Sequence, residues 1–228
     1  MKKTPLTLVL AGILGLSCMA AEKITTFEFA ADPGLKTVKE PYPGQKTTWL
    51  KTFLPIPATN GNSFVMEFDL NIKTFNHYGT LMLGLDNGKT QCFDFVFNKD
   101  DSRINRCHLR AQVVKGLAAK IKPFENIKPG KMRAAIDYNA SERTVVFSLS
   151  DPAGKELFSS GKIKVAGKVD LNRFVIGVTQ NEDEVSEISY DPSAGAIFCR
   201  SYVGVEGEYP YAIEALVDNV AINTESAD

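Results

Sequence analysis

The stretch FVMEFDLNI, Phe64 to Ile72, alternates without a break. Phe64, Met66, Phe68, Leu70 and Ile72 fall on one side, and Val65, Glu67, Asp69 and Asn71 on the other. Successive side chains of a strand point to opposite faces, so this is a strand with one apolar and one polar face. Such a strand belongs in an antiparallel sheet that packs one side on a core and shows the other to water. The pattern recurs along the chain. TTFEFA, TTWLKTFLPI, YGTLMLGL, QCFDFVFN, NRCHLRAQVV, KMRAAIDYN, RTVVFSLS, ELFSSGKIKV, RFVIGVTQ, AIFCRSYVGV and AIEALVDNVAIN also read as strands. Asn60-Gly61, Asp86-Asn87-Gly88, Lys99 to Ser102, Pro129-Gly130 and Asp151 to Gly154 supply turns between them. A helix is expected only near Val113 to Ile121, where Gly116 weakens it. About a dozen short strands, each with one buried face, predict an all-β fold: a two-sheet antiparallel jelly-roll β-sandwich.

Faces can be assigned from the same alternation. Leu81, Leu83 and Leu85 make one apolar row, Phe93, Phe95 and Phe97 the next, and Cys107, Leu109, Ala111 and Val113 a third. With these rows on the core, Cys92, Asp94 and Val96 point outward beside Arg106, His108 and Arg110. Cys92 and Cys107 then lie on opposite faces, and a disulfide needs a short Cβ separation, so no Cys92–Cys107 bond is expected. A bridge involving Cys199 stays open.

The N-terminus reads as an address. Lys2 and Lys3 precede an apolar run, Leu6 to Leu16, followed by the small-residue stretch SCMAAEK. That is the layout of a secretory signal peptide, too short to span a bilayer comfortably. Cleavage after Ala20 places Cys18 and Ala20 at the small-residue positions, giving a signal peptide at 1–20 and a single domain at 21–228. Lipoprotein anchoring at Cys18 is the alternative. Lipoprotein signals carry a branched aliphatic residue three places before the cysteine, where this chain has Gly15. The chain has 26 basic and 27 acidic residues; without Lys2 and Lys3 the balance is 24 to 27, or −3. No basic stripe points to nucleic acid. After the leader, no apolar segment has membrane-spanning length, and no spacing of Cys and His calls for a metal or cofactor.

One segment carries a resemblance. NIKPGKMRAAIDYNASERTVVFSLSDPAG, Asn126 to Gly154, has a Pro-Gly turn, a strand, a short turn, and a strand ending in Asp-x-x-Gly. It resembles the corresponding part of laminin-G-like and concanavalin A-like jelly rolls, with Met132 where family members often carry Trp. RFVIGVTQ is similar to a later strand of that superfamily, and ALVDNVAIN to its closing strand. The resemblance implies a last strand that returns beside the first, here near TTFEFA.

The chemistry is thinner. Glu67, Asp69 and Asn71 are one residue short of the Glu-x-Asp-x-Glu row of some sandwich-fold glycosidases, where the first Glu is the nucleophile and the last the acid/base. A retaining enzyme needs both carboxyls, about 5 Å apart. Asn71 has no proton to give as an acid, so the row reads as a solvated strand face. Glu182-Asp183-Glu184 with Glu187 reads as a solvated loop. RFVIGVTQ also resembles a strand of alginate-lyase-type sandwiches but lacks the Tyr that transfers the proton there. The outward row Arg106, His108 and Arg110 suits a carboxylated sugar, because Arg pairs bidentately with carboxylate. Asp94 on the neighbouring strand can instead neutralise it. Trp49, Tyr209 and Tyr211 are the aromatic candidates for stacking on a sugar ring. The combined expectation is an exported, non-catalytic carbohydrate-binding or surface-interaction domain whose partner is an acidic poly- or oligosaccharide. A glycoside hydrolase or polysaccharide lyase of the same fold, or a structural envelope protein, are the alternatives.

Overall fold

The computed structural model describes residues 22–27, 29, 31–41, 48–76, 79–98, 107–113, 120–124, 127–180, 186–201 and 213–225. The leader, Arg106, Tyr209, Tyr211 and Glu182 to Glu184 lie outside them. The strands are β1 (Glu22–Phe27), β2 (Thr37–Pro41), β3 (Thr48–Pro55), β4 (Phe64–Phe75), β5 (Thr80–Asp86), β6 (Cys92–Asn98), β7 (His108–Gln112) and β8 (Lys120–Pro123). They continue with β9 (Gly130–Asn139), β10 (Thr144–Ser150), β11 (Glu156–Ser159), β12 (Ile163–Lys164), β13 (Arg173–Gln180), β14 (Glu187–Asp191), β15 (Ala196–Ser201) and β16 (Ile213–Glu225). They form two sheets. The first runs β11-β10-β9-β4-β16-β15-β14, with β1 on β16 and β12 on β10; the second runs β2-β3-β13-β5-β6-β7-β8. All pairings are antiparallel. Among the described residues no helix is long and apolar enough to cross a membrane.

The opening stretch is β4, and its apolar side is core throughout: Phe64, Met66, Phe68, Leu70 and Ile72 are all buried. The facing sheet contributes Leu81, Leu83, Leu85, Phe93, Phe95, Phe97, Leu109 and Ala111, as the alternation requires. Rings interlock between the sheets. Phe68 meets Phe95 edge-on at 6.1 Å, and Phe95 meets Phe147 edge-on at 5.3 Å. Each fully buried Phe contributes roughly 1.5–3 kcal/mol by burial, an upper figure because the unfolded chain already shields some of it.

The first strand pairs beside the last, with Thr26 opposite Ala221. β16 is long because it changes partners. Its early residues bond β15 and its late residues bond β1, while β4 runs along its other edge. The switch falls at a bulge between Asp218 and Ala221, where Asn219 adopts a left-handed φ of 49°. Asn is among the few side chains that tolerate this conformation, and a bulge re-aims the strand that carries it.

The structure corrects several expectations. Residues 114–119 of the expected helix lie outside the described residues, but Lys120–Pro123 is a strand. ELFSSGKIKV splits at Ser160 into β11 and β12, and the break is held because Ser160 Oγ accepts the Phe147 N–H at 2.9 Å. Glu187 sits not in a loop but in edge strand β14, ion-paired to Arg200 at 2.8 Å. No disulfide forms among Cys92, Cys107 and Cys199. Cys107 and Cys199 point into the core, and Cys92 lies on the opposite face from Cys107, where alternation put it.

Candidate functional site

The sandwich has two outer faces, and they differ. On the second sheet the outward side chains of neighbouring strands line up by register. Phe53, Val175, Gly84, Asp94 and Arg110 make one cross-strand row; Lys51, Gly177, Met82, Val96 and His108 make the next. This face is largely filled by its own side chains. Trp49, Met82, Val96 and Val175 form a small buried cluster, with Phe53 packed against it. Gly177 makes room for it: a Cβ there would lie 2.9 Å from Met82 Cε and 3.4 Å from the Trp49 ring. Trp49 therefore lies buried against the sheet at 8 % exposure.

Asp94 is buried on this outer face and grips Arg110. Arg110 Nε donates to Oδ1 at 2.8 Å and Nη2 to Oδ2 at 2.7 Å, with Met82 Sδ also 2.7 Å from Nη2. The paired fork is the strong geometry for guanidinium and carboxylate. His108 stands two residues away on the same face, half-buried opposite Val96. The structure thus brings His108 and Arg110 together, with Trp49 several strands away on the same face. Beside them, burial first and then the charge of Asp94 push the Cys92 thiol up to about 12.

The outer face of the first sheet is open. A groove of about 530 Å³ crosses β10, β9, β4, β16 and β15. Two tight turns make its end walls. In one, Asp151 Oδ1 accepts the backbone N–H groups of Ala153 and Lys155 at 2.9 Å. The other is tied by Asp191, which accepts from Ser193 and Ala194. The hydrogen bond from the Ser193 hydroxyl holds the Asp191 carboxyl below its ordinary pKa.

The groove floor comes from the polar side of β4 and its neighbours. Asn71 lies opposite Lys131 on one side and Leu216 on the other; Asp69 lies opposite Arg133 and Asp218. Arg133 bridges two carboxylates, 3.1 Å from Glu67 Oε2 and 3.3 Å from Asp69 Oδ1. Its hydrogen bond to Glu67 raises the guanidinium pKa further. The bulge delivers the last member: Asn219 Nδ2 donates to Asp69 Oδ2 at 2.7 Å. Asp69 and Asn71 of the incomplete carboxylate row thus line this groove, with Asp69 bound to Arg133 and Asn219 and Glu67 bound to Arg133 beside it. Sequence reasoning missed the groove as a site. Asn71, Lys131, Asp151 and Leu216 are far apart in the chain, and only the strand order places them together. Among the described residues no group of three or more His, Cys, Asp or Glu is placed to hold a metal ion.

No family model matches the sequence, and no curated protein matches it. Solved structures do. The chain is similar to the CBM2 module of the evolved Dit of Lactobacillus casei BL23 phage J-1, at 10% identity and a TM-score of 0.52, over 79% of this chain and 70% of that one. It is also similar to peanut lectin, at 10% identity and a TM-score of 0.49, over 92% and 100% of the two chains. A glycosyl hydrolase family 16 protein from Mycobacterium smegmatis matches at 15% identity and a TM-score of 0.45, over 82% and 74%. At these identities the likeness is one of fold, and the argument for function rests on the site.

Proposed function

We propose that this concanavalin A-like sandwich is an exported, non-catalytic carbohydrate-binding domain that takes its sugar in the groove across the first sheet. The observation that carries this is the lining: Asp69, Asn71, Arg133 and Asn219 present planar polar groups beside the apolar edge of Leu216. Neighbouring sugar hydroxyls both donate and accept. Carboxylate, amide and guanidinium groups answer them in pairs, while an aliphatic side chain covers a CH-rich ring face. The groove volume falls within the range of small-molecule sites. That a carbohydrate-binding module shares the fold agrees with this reading.

The non-catalytic part of the reading is supported by the carboxylate row on β4. Glu67 and Asp69 both pair with Arg133, and the third place in the row is Asn71. Glu67→Gln should leave any hydrolytic activity of the purified protein unchanged; a thousandfold fall in kcat would identify a nucleophile instead.

A second place on the molecule has its own supporting observation. Asp94 is buried and fixes Arg110, whose side chain keeps 34 % exposure. Arg106, His108 and Arg110, with Tyr209 and Tyr211 as aromatic partners, would take a carboxylated sugar; Trp49, buried in its own cluster, would not stack on it. An array of neutral and uronic-acid oligosaccharides, followed by calorimetry on the best ligand, separates the two. Asn219→Gly removes the groove amide and keeps the left-handed backbone. His108→Ala tests the other face without unpairing Asp94. Loss of binding in Asn219→Gly alone supports the groove; loss in His108→Ala alone, with a uronic acid, supports the other face. Export is tested by mass spectrometry of protein made in a bacterial host. A mature N-terminus at Ala21 or Glu22 is expected, and an acylated Cys18 would make it a lipoprotein.

A further inference from the structure

A second pocket, of about 290 Å³, opens at one end of the sandwich, away from the groove, and Tyr138, Arg143, Lys168, Gly61 and Gly167 line it. Tyr138 belongs to the inner face of β9, and its ring is packed against Phe64 and Phe93 at 5.5 and 5.9 Å. The residue is only 2 % exposed, yet its hydroxyl has no hydrogen-bond partner among the described residues. The ring is buried, while the hydroxyl opens on the pocket and is free to donate to a bound molecule.

Two cations flank it. Arg143 sits in the hairpin turn after β9 with a left-handed φ of 52°, a conformation rarely given to a long side chain. Lys168 runs its stem across Gly61, where a Cβ would lie 2.6 Å from Lys168 Cε. Gly61 itself has φ 86°, a left-handed backbone that favours glycine. Neither Arg143 nor Lys168 forms a side-chain ion pair or hydrogen bond among the described residues. Glu142, next to Arg143 in the chain, pairs instead with Lys162 at 2.6 Å, and Asp170 follows Lys168 by two residues. Lys164 Nζ meanwhile donates to the Glu142 carbonyl at 2.8 Å. Lys162 and Lys164, beside Glu142, add two further cations at this end of the molecule, where Asp137 and Glu225 also lie. The positive charge of Arg143 also reaches the Tyr138 phenol, opposing the rise that burial imposes on its pKa.

We propose that this pocket binds an oxyanion, sulfate or phosphate, with Arg143 and Lys168 supplying charge and the Tyr138 hydroxyl a neutral donor. The pocket is about ten times the roughly 30 Å³ share of one water, so it admits the anion and part of any molecule that bears it. The inference does not rest on the carbohydrate reading, because inorganic ions alone can test it.

The experiment titrates the protein with sodium sulfate, sodium phosphate and a sulfated oligosaccharide at low ionic strength. Calorimetry gives affinity, and the amide signals of Gly61 and Gly167 report location. Tyr138→Phe keeps the packed ring. Arg143→Asn keeps a residue suited to the left-handed turn, and Lys168→Gln keeps a stem over Gly61. Lys162→Gln serves as a control outside the pocket, and circular dichroism confirms folding of each variant. At least one probe should shift both glycine amides. Affinity should fall about tenfold in Arg143→Asn and in Lys168→Gln, and about threefold in Tyr138→Phe. Comparable binding of the free ions and the oligosaccharide identifies a small anion as the ligand; much tighter binding of the oligosaccharide identifies an anion carried on a glycan. Both support the site. Unmoved glycine amides with all three probes, or unchanged affinity in the Arg143→Asn/Lys168→Gln double variant, would overturn it.

Discussion

The two outer faces of this sandwich each carry an arginine held by carboxylates, in opposite settings. Arg110 is gripped by Asp94, whose side chain is 1 % exposed. Arg133 bridges Glu67 and Asp69, all three at 40 % exposure or more. The first pair is packed among Met82, Val96 and Val175, and its geometry stabilises the fold. The second stands in water on a groove floor and can exchange partners. A polar residue on an outward strand position is therefore not by itself a binding residue. What decides is whether neighbouring strands bring large or small side chains to cover it.

That contrast sets the order of expected effects. Arg110→Met leaves the Asp94 carboxylate buried and unpaired, at a cost of about 3–5 kcal/mol, read as a fall in the urea midpoint. A change below about 1 kcal/mol would mean that water reaches Asp94 and that this face is open after all. Met82→Ala empties the cluster that covers the second sheet and costs about 2–3 kcal/mol; Leu216→Ala, on the open groove, costs about 1 kcal/mol or less. Equal losses would erase the distinction between the faces.

The buried thiols give an effect of intermediate size that depends on pH. Burial pushes Cys107 up to about 12 from an ordinary 9.0, and Cys92 likewise. The unfolded chain loses these protons above about pH 9 while the folded chain keeps them. The stability they hold is whole below pH 9 and drains as pH climbs toward 12. At pH 10.5 each thiol accounts for about 2 kcal/mol of that loss. The loss of stability between pH 8 and 10.5 should be smaller in Cys107→Ala than in wild type. An identical slope would show that Cys107 is reached by water in the fold. Smallest of all is Arg133→Met. Its partners are exposed, so stability should change by about 1 kcal/mol or less, in a salt-dependent way.

Most of the fold was legible in the residues because the inner faces obey strict alternation. Phe64 to Ile72, Leu81 to Leu85 and Phe93 to Phe97 all point where a period of two sends them. The separation of Cys92 from Cys107 follows from the same rule. The strands that escaped notice, Thr37–Pro41, Lys120–Pro123 and Glu187–Asp191, are edge strands. An edge strand needs no apolar row, so TVKEP and EISYD carry little alternation to read. The groove was legible only in pieces. Glu67 and Asp69 stood out as an acidic row, and Asp218-Asn219 as part of a closing strand. Nothing in the chain states that a bulge turns Asn219 onto Asp69. Trp49 was ambiguous for a related reason. Its burial depends on Gly177, which lies far away in sequence and leaves the space that Met82 and the indole fill.

The most direct measurement is calorimetric titration of the oligosaccharide selected by the array against wild type, Asn219→Gly and His108→Ala. If the open face binds sugar, Asn219→Gly should weaken binding by about tenfold, while His108→Ala matches wild type and all three proteins melt alike. Full affinity in Asn219→Gly, with binding lost in His108→Ala, would contradict the assignment and move the site to the filled face.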